Sequence, residues 1–241
     1  MPAYNEEATI AEIIALVLQS PFTAEVLVID DASSDRTAQI VQTIDDPRLR
    51  LLRQERNQGK GAAIRRGFAE ATQPFVIVQD ADLEYDPADY HQIMVPLLSG
   101  KADVVYGSRF SGDRAHRVLY YWHSVGNHFL TTVSNMFTNL NLTDMETCYK
   151  AFRLEVLRSF ELEENRFGIE PEITAKIARG GWRIFEVGIS YSGRTYAEGK
   201  KIGWRDGMWA IFCIAAYSAA GARLNLKRLE PAVRWITRTR A

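Results

Sequence analysis

Short apolar runs alternate with amphipathic stretches through the first half of the chain. Val26-Leu27-Val28-Ile29, Leu49 to Leu52, Phe75-Val76-Ile77-Val78 and Val104-Val105-Tyr106 are of strand type. Helical patterns lie between them. Ile10, Ile13, Ile14 and Val17 form one stripe, which Asn5 can cap and Pro21 ends. A second helix runs through Ile40, Val41 and Ile44 after Ser34 or Asp35, and a third spans Gly59 to Glu70. This alternation predicts an α/β fold, a mainly parallel sheet covered by helices on both faces. Ligands of such sheets sit beyond the carboxyl ends of the strands. Asp30-Asp31, Asp80-Ala81-Asp82 and Ser108-Arg109 follow three of the runs. Spacing alone therefore gathers them on one rim, as one composite site.

The second half reads differently. Val118, Trp122, Val125, Phe129, Val133, Met136 and Leu140 keep helical spacing. Glu170 to Ala178 predicts a helix stopped by Gly180-Gly181, and Arg183 to Tyr191 alternates as a strand. Residues 207–222 and 118–143 carry no Asp, Glu, Lys or Arg. The first stretch is shorter than the ~20 residues of a spanning helix. The second holds His123, Asn127, His128, Asn135, Asn139 and Asn141, too polar for lipid but compatible with a membrane surface. Past Gly221 the tail carries Arg223, Lys227, Arg228, Arg234, Arg238 and Arg240 against Glu230.

Composition narrows the classes. The 241 residues are 46 % hydrophobic and 24 % charged, which excludes disordered and collagen-like chains. A formal net charge of −1 gives no global field toward nucleic acid. Cys148 and Cys213 make no disulfide framework, and Met1 to Glu7 lacks the features of a signal peptide, so a cytoplasmic protein is expected. His116, His123 and His128 do not have zinc spacing.

Asp80-Ala81-Asp82 is the sharpest chemical feature. A turn at the strand end can bring both carboxylates to one hard cation, Mg²⁺ or Mn²⁺, which in turn grips a diphosphate; Glu84 can add a ligand. The plainer reading is a solvated acidic turn or a helix cap. Asp31 is placed to bind a ribose or base edge, although no dinucleotide glycine fingerprint precedes it. Asn57-Gln58-Gly59-Lys60-Gly61 lacks P-loop spacing and reads as a flexible turn opening a helix. Arg194 to Lys201 is a basic, glycine-containing loop suited to phosphate, or simply a solvated loop.

Taken in order, Pro-Ala-Tyr-Asn-Glu-Glu (2–7), Val-Ile-Asp-Asp-Ala-Ser-Ser-Asp-Arg-Thr (28–37), Asn-Gln-Gly-Lys-Gly (57–61), Asp-Ala-Asp-Leu-Glu (80–84), Gly-Ser-Arg-Phe (107–110) and Arg-Thr-Tyr-Ala-Glu-Gly-Lys (194–200) resemble the family 2 glycosyltransferases of GT-A fold. Within that family the chain looks most like dolichol- and polyprenol-phosphate sugar synthases. The resemblance implies that Pro2, Tyr4, Glu6, Ile29 and Asp31 line a nucleoside pocket. It implies that Asp80 and Ala81 contact the nucleotide sugar, and that Asp82 and Glu84 hold the divalent metal. Arg109, Arg194 and Lys200 would bind phosphate groups, with Arg117 helping at the acceptor. Asp144 is the candidate to orient the acceptor or act as base, or else a loop acid or cap. The implied partners are a nucleotide sugar such as GDP-mannose or UDP-glucose, a polyprenyl phosphate and the cytoplasmic face of a membrane. A hydroxyl acceptor, and a non-catalytic nucleotide-sugar binder, are the alternatives. The resemblance implies a transferase domain over residues 1–205 and an amphipathic, basic segment over 206–241. It also implies an apolar strand just before Pro2, where this sequence begins.

Overall fold

The computed structural model describes residues 1–112, 117–118, 120–194 and 204–237. The predicted alternation is observed, with β1 and α4 added to the elements the pattern signalled: β1 (Pro2–Ala3), α1 (Ile10–Gln19), β2 (Val26–Asp30), α2 (Thr37–Gln42), β3 (Leu49–Arg53), α3 (Lys60–Glu70), β4 (Phe75–Ile77), α4 (Tyr90–Leu98) and β5 (Val104–Ser108). Then come α5 (Tyr121–Thr138), β6 (Lys150–Arg153), α6 (Leu154–Arg158), α7 (Ile169–Gly180), β7 (Ile184–Gly188), α8 (Trp204–Tyr217), α9 (Ala219–Arg223) and α10 (Glu230–Thr237).

The strands pair in the orders β1-β2-β3, all parallel, and β4-β6-β5-β7. β5 and β7 are parallel, while β6 runs antiparallel to both β4 and β5. β6 gave no sequence signal, because Lys150-Ala151-Phe152-Arg153 neither alternates nor forms an apolar run. It is inserted between half-buried β4 and fully buried β5, where Ala151 and Phe152 are fully buried. An apolar cavity of about 360 Å³ lies between the two sheets, lined among others by Pro2, Ile29, Phe68, Val76 and Met94. The Met1 ammonium donates to the carbonyl of Leu27 at 2.8 Å on its border.

The core is built as the apolar stripes demand. Ile10, Ile13 and Ile14 of α1 are fully buried, as are Val104 and Val105 of β5. Each such side chain gains roughly 1.5–3 kcal/mol from leaving water. One cap differs from expectation. Asn5 does not cap α1; Thr9 holds the N-cap position. Asn5 instead takes φ +54° and accepts from the Ser34 N–H at 2.9 Å, tying the end of β1 to the loop after β2. Asp35 does serve near the start of α2, accepting from the Thr37 N–H at 2.9 Å.

The turn at residues 57–61 is not the loose connection its glycines suggest. Gly59 has φ +99°, and both glycines lie against the backbone of residues 164–166. A methyl group on Gly61 would stand 2.4 Å from the Glu164 carbonyl oxygen, whereas one on Gly67 would meet nothing closer than 3.5 Å. Gly61→Ala is therefore expected to lower unfolding free energy by about 1–3 kcal/mol. Gly67→Ala, in the same helix, is expected to be neutral or to stabilise by roughly 0.5–1 kcal/mol. Urea unfolding of the two variants checks the contrast.

Candidate active site

The rim expected from strand ends exists. The chain leaves β4 through Asp80-Ala81-Asp82-Leu83-Glu84, and Leu83 adopts φ +60°. A branched residue in that region costs about 1–2 kcal/mol. The kink sends the carboxylates to different duties. Asp80 turns to Lys60, whose Nζ lies 3.0 Å away. Asp82 and Glu84 both face Arg194.

Arg194 occupies the centre of this acidic group. Its Nη2 reaches Asp82 Oδ2 at 2.6 Å, its Nη1 reaches Glu6 Oε2 at 3.3 Å, and its Nε reaches Glu84 Oε1 at 3.2 Å. Its backbone N–H also donates to Glu84 Oε1 at 2.9 Å. Burial, with repulsion from Asp80 and Glu84, pushes the Asp82 carboxyl up to about 7, although Arg194 opposes this. Burial also works against a charged Asp80, but Lys60 and a bond from Cys148 hold that carboxyl below the usual range. Carboxylates crowded in this way call for a cation, and the guanidinium supplies one. Hard oxygens suit Mg²⁺ or Mn²⁺. Among the described residues no group of three or more His, Cys, Asp or Glu forms a full metal cage. A Mg²⁺ or Mn²⁺ ion can also be held by one or two carboxylates, with its other ligands from substrate phosphates and water. Asp82 and Glu84 are the residues that fit.

Below this layer lies a buried ionic network that the sequence did not reveal. Lys60 also approaches Glu170 Oε1 at 3.6 Å. Burial and the neighbouring Glu170 push Glu146 up to about 8, while burial pulls Lys150 down. Residues 57–61 mattered through Lys60, the one charged side chain of that motif.

The nucleoside side is more constrained than expected. Asp31 is buried, and its Oδ1 accepts from Gln54 Nε2 at 2.7 Å and the Gln58 N–H at 2.8 Å. Its Oδ2 accepts from the Gly59 N–H at 2.7 Å. Three of its roughly four acceptor sites are thus spent on anchoring the turn before α3. Pro2 and Ile29 pair with each other in the sheet and line the apolar cavity. Tyr4 is exposed at the rim, and buried Ala81 gives its carbonyl to the Thr9 hydroxyl at 2.7 Å.

The side expected to take an acceptor centres on Arg109 and Asp144. The Arg109 Nε and Nη2 grip the two Asp144 oxygens at 2.7 Å each, and the Arg109 N–H adds a bond at 3.0 Å. Asn127 Nδ2, from α5, completes the set at 3.1 Å. Burial opposes the charge of Asp144, but Arg109 and these bonds hold its carboxyl below the usual range. It is thus a weak base with its oxygens engaged. The inner face of α5 fixes the loop that carries it: Thr131 Oγ1 accepts from the Met145 N–H, and Asn135 bonds Leu142 on both sides. Glu186 of β7 takes the Thr143 and Asp144 N–H groups. The Arg117 N–H donates to the Tyr191 carbonyl at 2.8 Å, and its Nη1 to the Gly193 carbonyl at 3.0 Å. Lys200 lies outside the described residues.

With this geometry, comparison with known proteins decides the family. The description "Glycosyl transferase family 2" matches residues 1–160. The chain belongs to glycosyl transferase family 2. Over 191 residues this transferase is 31 % identical to glycosyltransferase AglJ of Haloferax volcanii, covering 79 % of the chain and 61 % of that protein. It is 29 % identical over 217 residues to the undecaprenyl-phosphate mannosyltransferase of Micrococcus luteus, covering 84 % and 86 %. The crystal structure of glucosyl-3-phosphoglycerate synthase from Mycobacterium tuberculosis, in complex with Mn²⁺, UDP and phosphoglyceric acid, superposes with a TM-score of 0.70. It is 20 % identical and covers 90 % of this chain and 76 % of its own. The likeness shows the fold, the GT-A arrangement expected from the motifs.

The acidic cluster of this transferase makes a stability prediction. The Asp82 carboxyl titrates near 7 when folded and near 3.8 when unfolded. The folded state thus binds the extra proton between those values, and stability falls as pH rises toward 7. Asp82→Asn removes that dependence. In metal-free buffer its melting temperature is expected to exceed wild type at pH 8, with the difference shrinking toward pH 5. Differential scanning fluorimetry across that range checks it.

Proposed function

We propose that this enzyme transfers a hexose, with inversion, from a nucleotide sugar such as GDP-mannose or UDP-glucose to a polyprenyl phosphate. The observation that carries the reading is the Arg109–Asp144 clamp. The acid expected as a base is buried, held ionised and saturated with donors by Arg109, which directly follows the carboxyl end of β5, and Asn127. A hydroxyl acceptor requires a base. A phosphate monoester has a second pKa of ~6 and is already a dianion near neutrality. Arg109 and Arg117 would hold that dianion beside the sugar. Arg194, with Lys200, would pass to the donor diphosphate and offset charge developing on the leaving group. A divalent cation held by Asp82 and Glu84 would supply Lewis-acid stabilisation of that diphosphate. Asp31, Glu6, Tyr4 and the backbone of Pro2 and Ile29 would frame the nucleoside, with Asp80 and Ala81 at the sugar. The M. luteus relative's name, which specifies an undecaprenyl-phosphate mannosyltransferase, supports the acceptor class.

A lipid acceptor brings the enzyme to the cytoplasmic face of a membrane as a peripheral protein. No helix among the described residues is long and apolar enough to cross a bilayer. The outer face of α5 instead presents Trp122, Val125, Phe129 and Met136 to solvent, and Leu224, Leu229 and Trp235 are exposed near the C-terminus. Large exposed apolar and aromatic side chains of this kind suit an interfacial position. The segment 206–241 contributes unevenly. α8 is packed into the fold through Trp209, Cys213 and Tyr217. Lys227 and Arg234 pair with Glu163 and Glu230. Arg223 and Arg228 remain as surface charge for anionic lipid.

Purified protein, Mn²⁺ and liposomes containing polyprenyl phosphate, incubated separately with radiolabelled GDP-mannose and UDP-glucose, test the reading. Organic-extractable label from one donor, lost in Asp82→Ala, is the expected result. Asp144→Asn is expected to raise the acceptor KM about tenfold or more with a smaller change in kcat, because it loosens Arg109 without removing a base. A collapse of kcat alone would point to a hydroxyl acceptor. Binding of both donors without any turnover would point to a nucleotide-sugar binder.

A further inference from the structure

Residues 191–194, three to six positions past β7, join the two halves of the site. Tyr191 donates its hydroxyl to Glu84 Oε2 at 2.7 Å. The Ser192 N–H donates to the Glu84 carbonyl and the Arg194 N–H to Glu84 Oε1, each at 2.9 Å. The same four residues are tied on the other side to Arg117, through the carbonyls of Tyr191 and Gly193. The Tyr191 ring also lies under the Arg109 guanidinium, 5.2 Å from Cζ to the ring centroid. A further ring, Tyr85, packs at 5.2 Å and fixes its tilt. Tyr191 is buried, so neither its hydroxyl nor its face is spent on solvent.

We propose that Tyr191 is a positioning residue with two separable functions. Its hydroxyl aims the Glu84 carboxylate at the metal-diphosphate, and its ring seats Arg109 for the acceptor phosphate. The inference rests on the reading of the site given above. Glu84 Oε1 is taken by the Arg194 N–H and Nε, so the Tyr191 O–H on Oε2 fixes the rotamer from the other side and leaves Oε2 a lone pair for a cation, as outer-shell partners of metal ligands do. A guanidinium stacked on an aromatic face is held in plane, so its outward N–H groups keep one direction. One side chain thereby sets the distance between the donor's leaving group and the attacking phosphate oxygen.

Two variants separate the functions. Tyr191→Phe keeps the ring and deletes the hydroxyl. Tyr191→Leu deletes both while keeping an apolar side chain in the core. Mn²⁺ affinity is measured by electron paramagnetic resonance in the presence of GDP or UDP without turnover. Acceptor KM is measured with polyprenyl phosphate in detergent. Tyr191→Phe is expected to weaken Mn²⁺ about five- to tenfold, the scale of one charge-assisted hydrogen bond, and to leave acceptor KM within about twofold. Tyr191→Leu is expected to weaken Mn²⁺ equally and to raise acceptor KM about tenfold as well. Unchanged Mn²⁺ affinity in Tyr191→Phe overturns the first function. An unchanged acceptor KM in Tyr191→Leu overturns the second. Equal losses of both quantities in both variants would show a merely structural role and overturn the proposal. Failure of wild type to bind Mn²⁺ with either nucleotide, or to use the acceptor, overturns instead the reading of the site on which it rests.

Discussion

The site depends on the cost of gathering carboxylates where water is scarce. Asp80, Asp82, Glu84 and Glu6 approach one another at the end of the sheet, and their charge is tolerable only because cations are built in with them. Lys60 answers Asp80 from below, and Arg194 answers the other three from above. Like charges in a partly desolvated pocket raise one another's pKa, and Asp82 bears that cost. The same repulsion that destabilises these carboxylates would make them receptive to a divalent cation. Stability and ligand affinity are opposed here, as is common at functional sites.

A second pairing, after the end of β5, has the opposite balance. Arg109 and Asp144 meet in a buried, bidentate geometry with Asn127 and backbone donors completing the shell. Such a pair contributes little net stability but fixes geometry, because leaving either partner alone would be costly. The helix α5 performs two tasks for this reason. Its inner polar residues lock the Asp144 loop, and its outer apolar residues are left to solvent. A helix that is polar inward at a loop and apolar outward inverts the usual pattern of a surface helix.

Much of this was readable in one dimension. Apolar runs of strand length and stripes of helical spacing are local, so β2, β3, β4, β5 and β7 were legible, with helices α1, α2, α3, α5 and α7 and the common rim; α4 and α6 were not. The acidic turn and the arginines were legible as residue types that fit one chemistry. What escaped had no local signature. β6 is a strand only because two neighbours pair with it, and Asn5 left its helix because Ser34 offered a bond from across the sheet. Glu146 and Glu170 join the site only because α7 and the loop before β6 are packed beneath Asp80.

The sequence by itself determined the class of fold, the rim and the identity of the charged groups on it. These follow from periodicity and from chemistry carried within a few residues. Tertiary structure alone decided which charge meets which. Asp144 became the ion-pair partner of Arg109, and Asp31 became the anchor of a turn. Arg194, over a hundred residues from Asp82 and Glu84, became their counter-cation. Pairings of this kind depend on distance and dielectric in the folded chain, and neither quantity is written in the order of the residues.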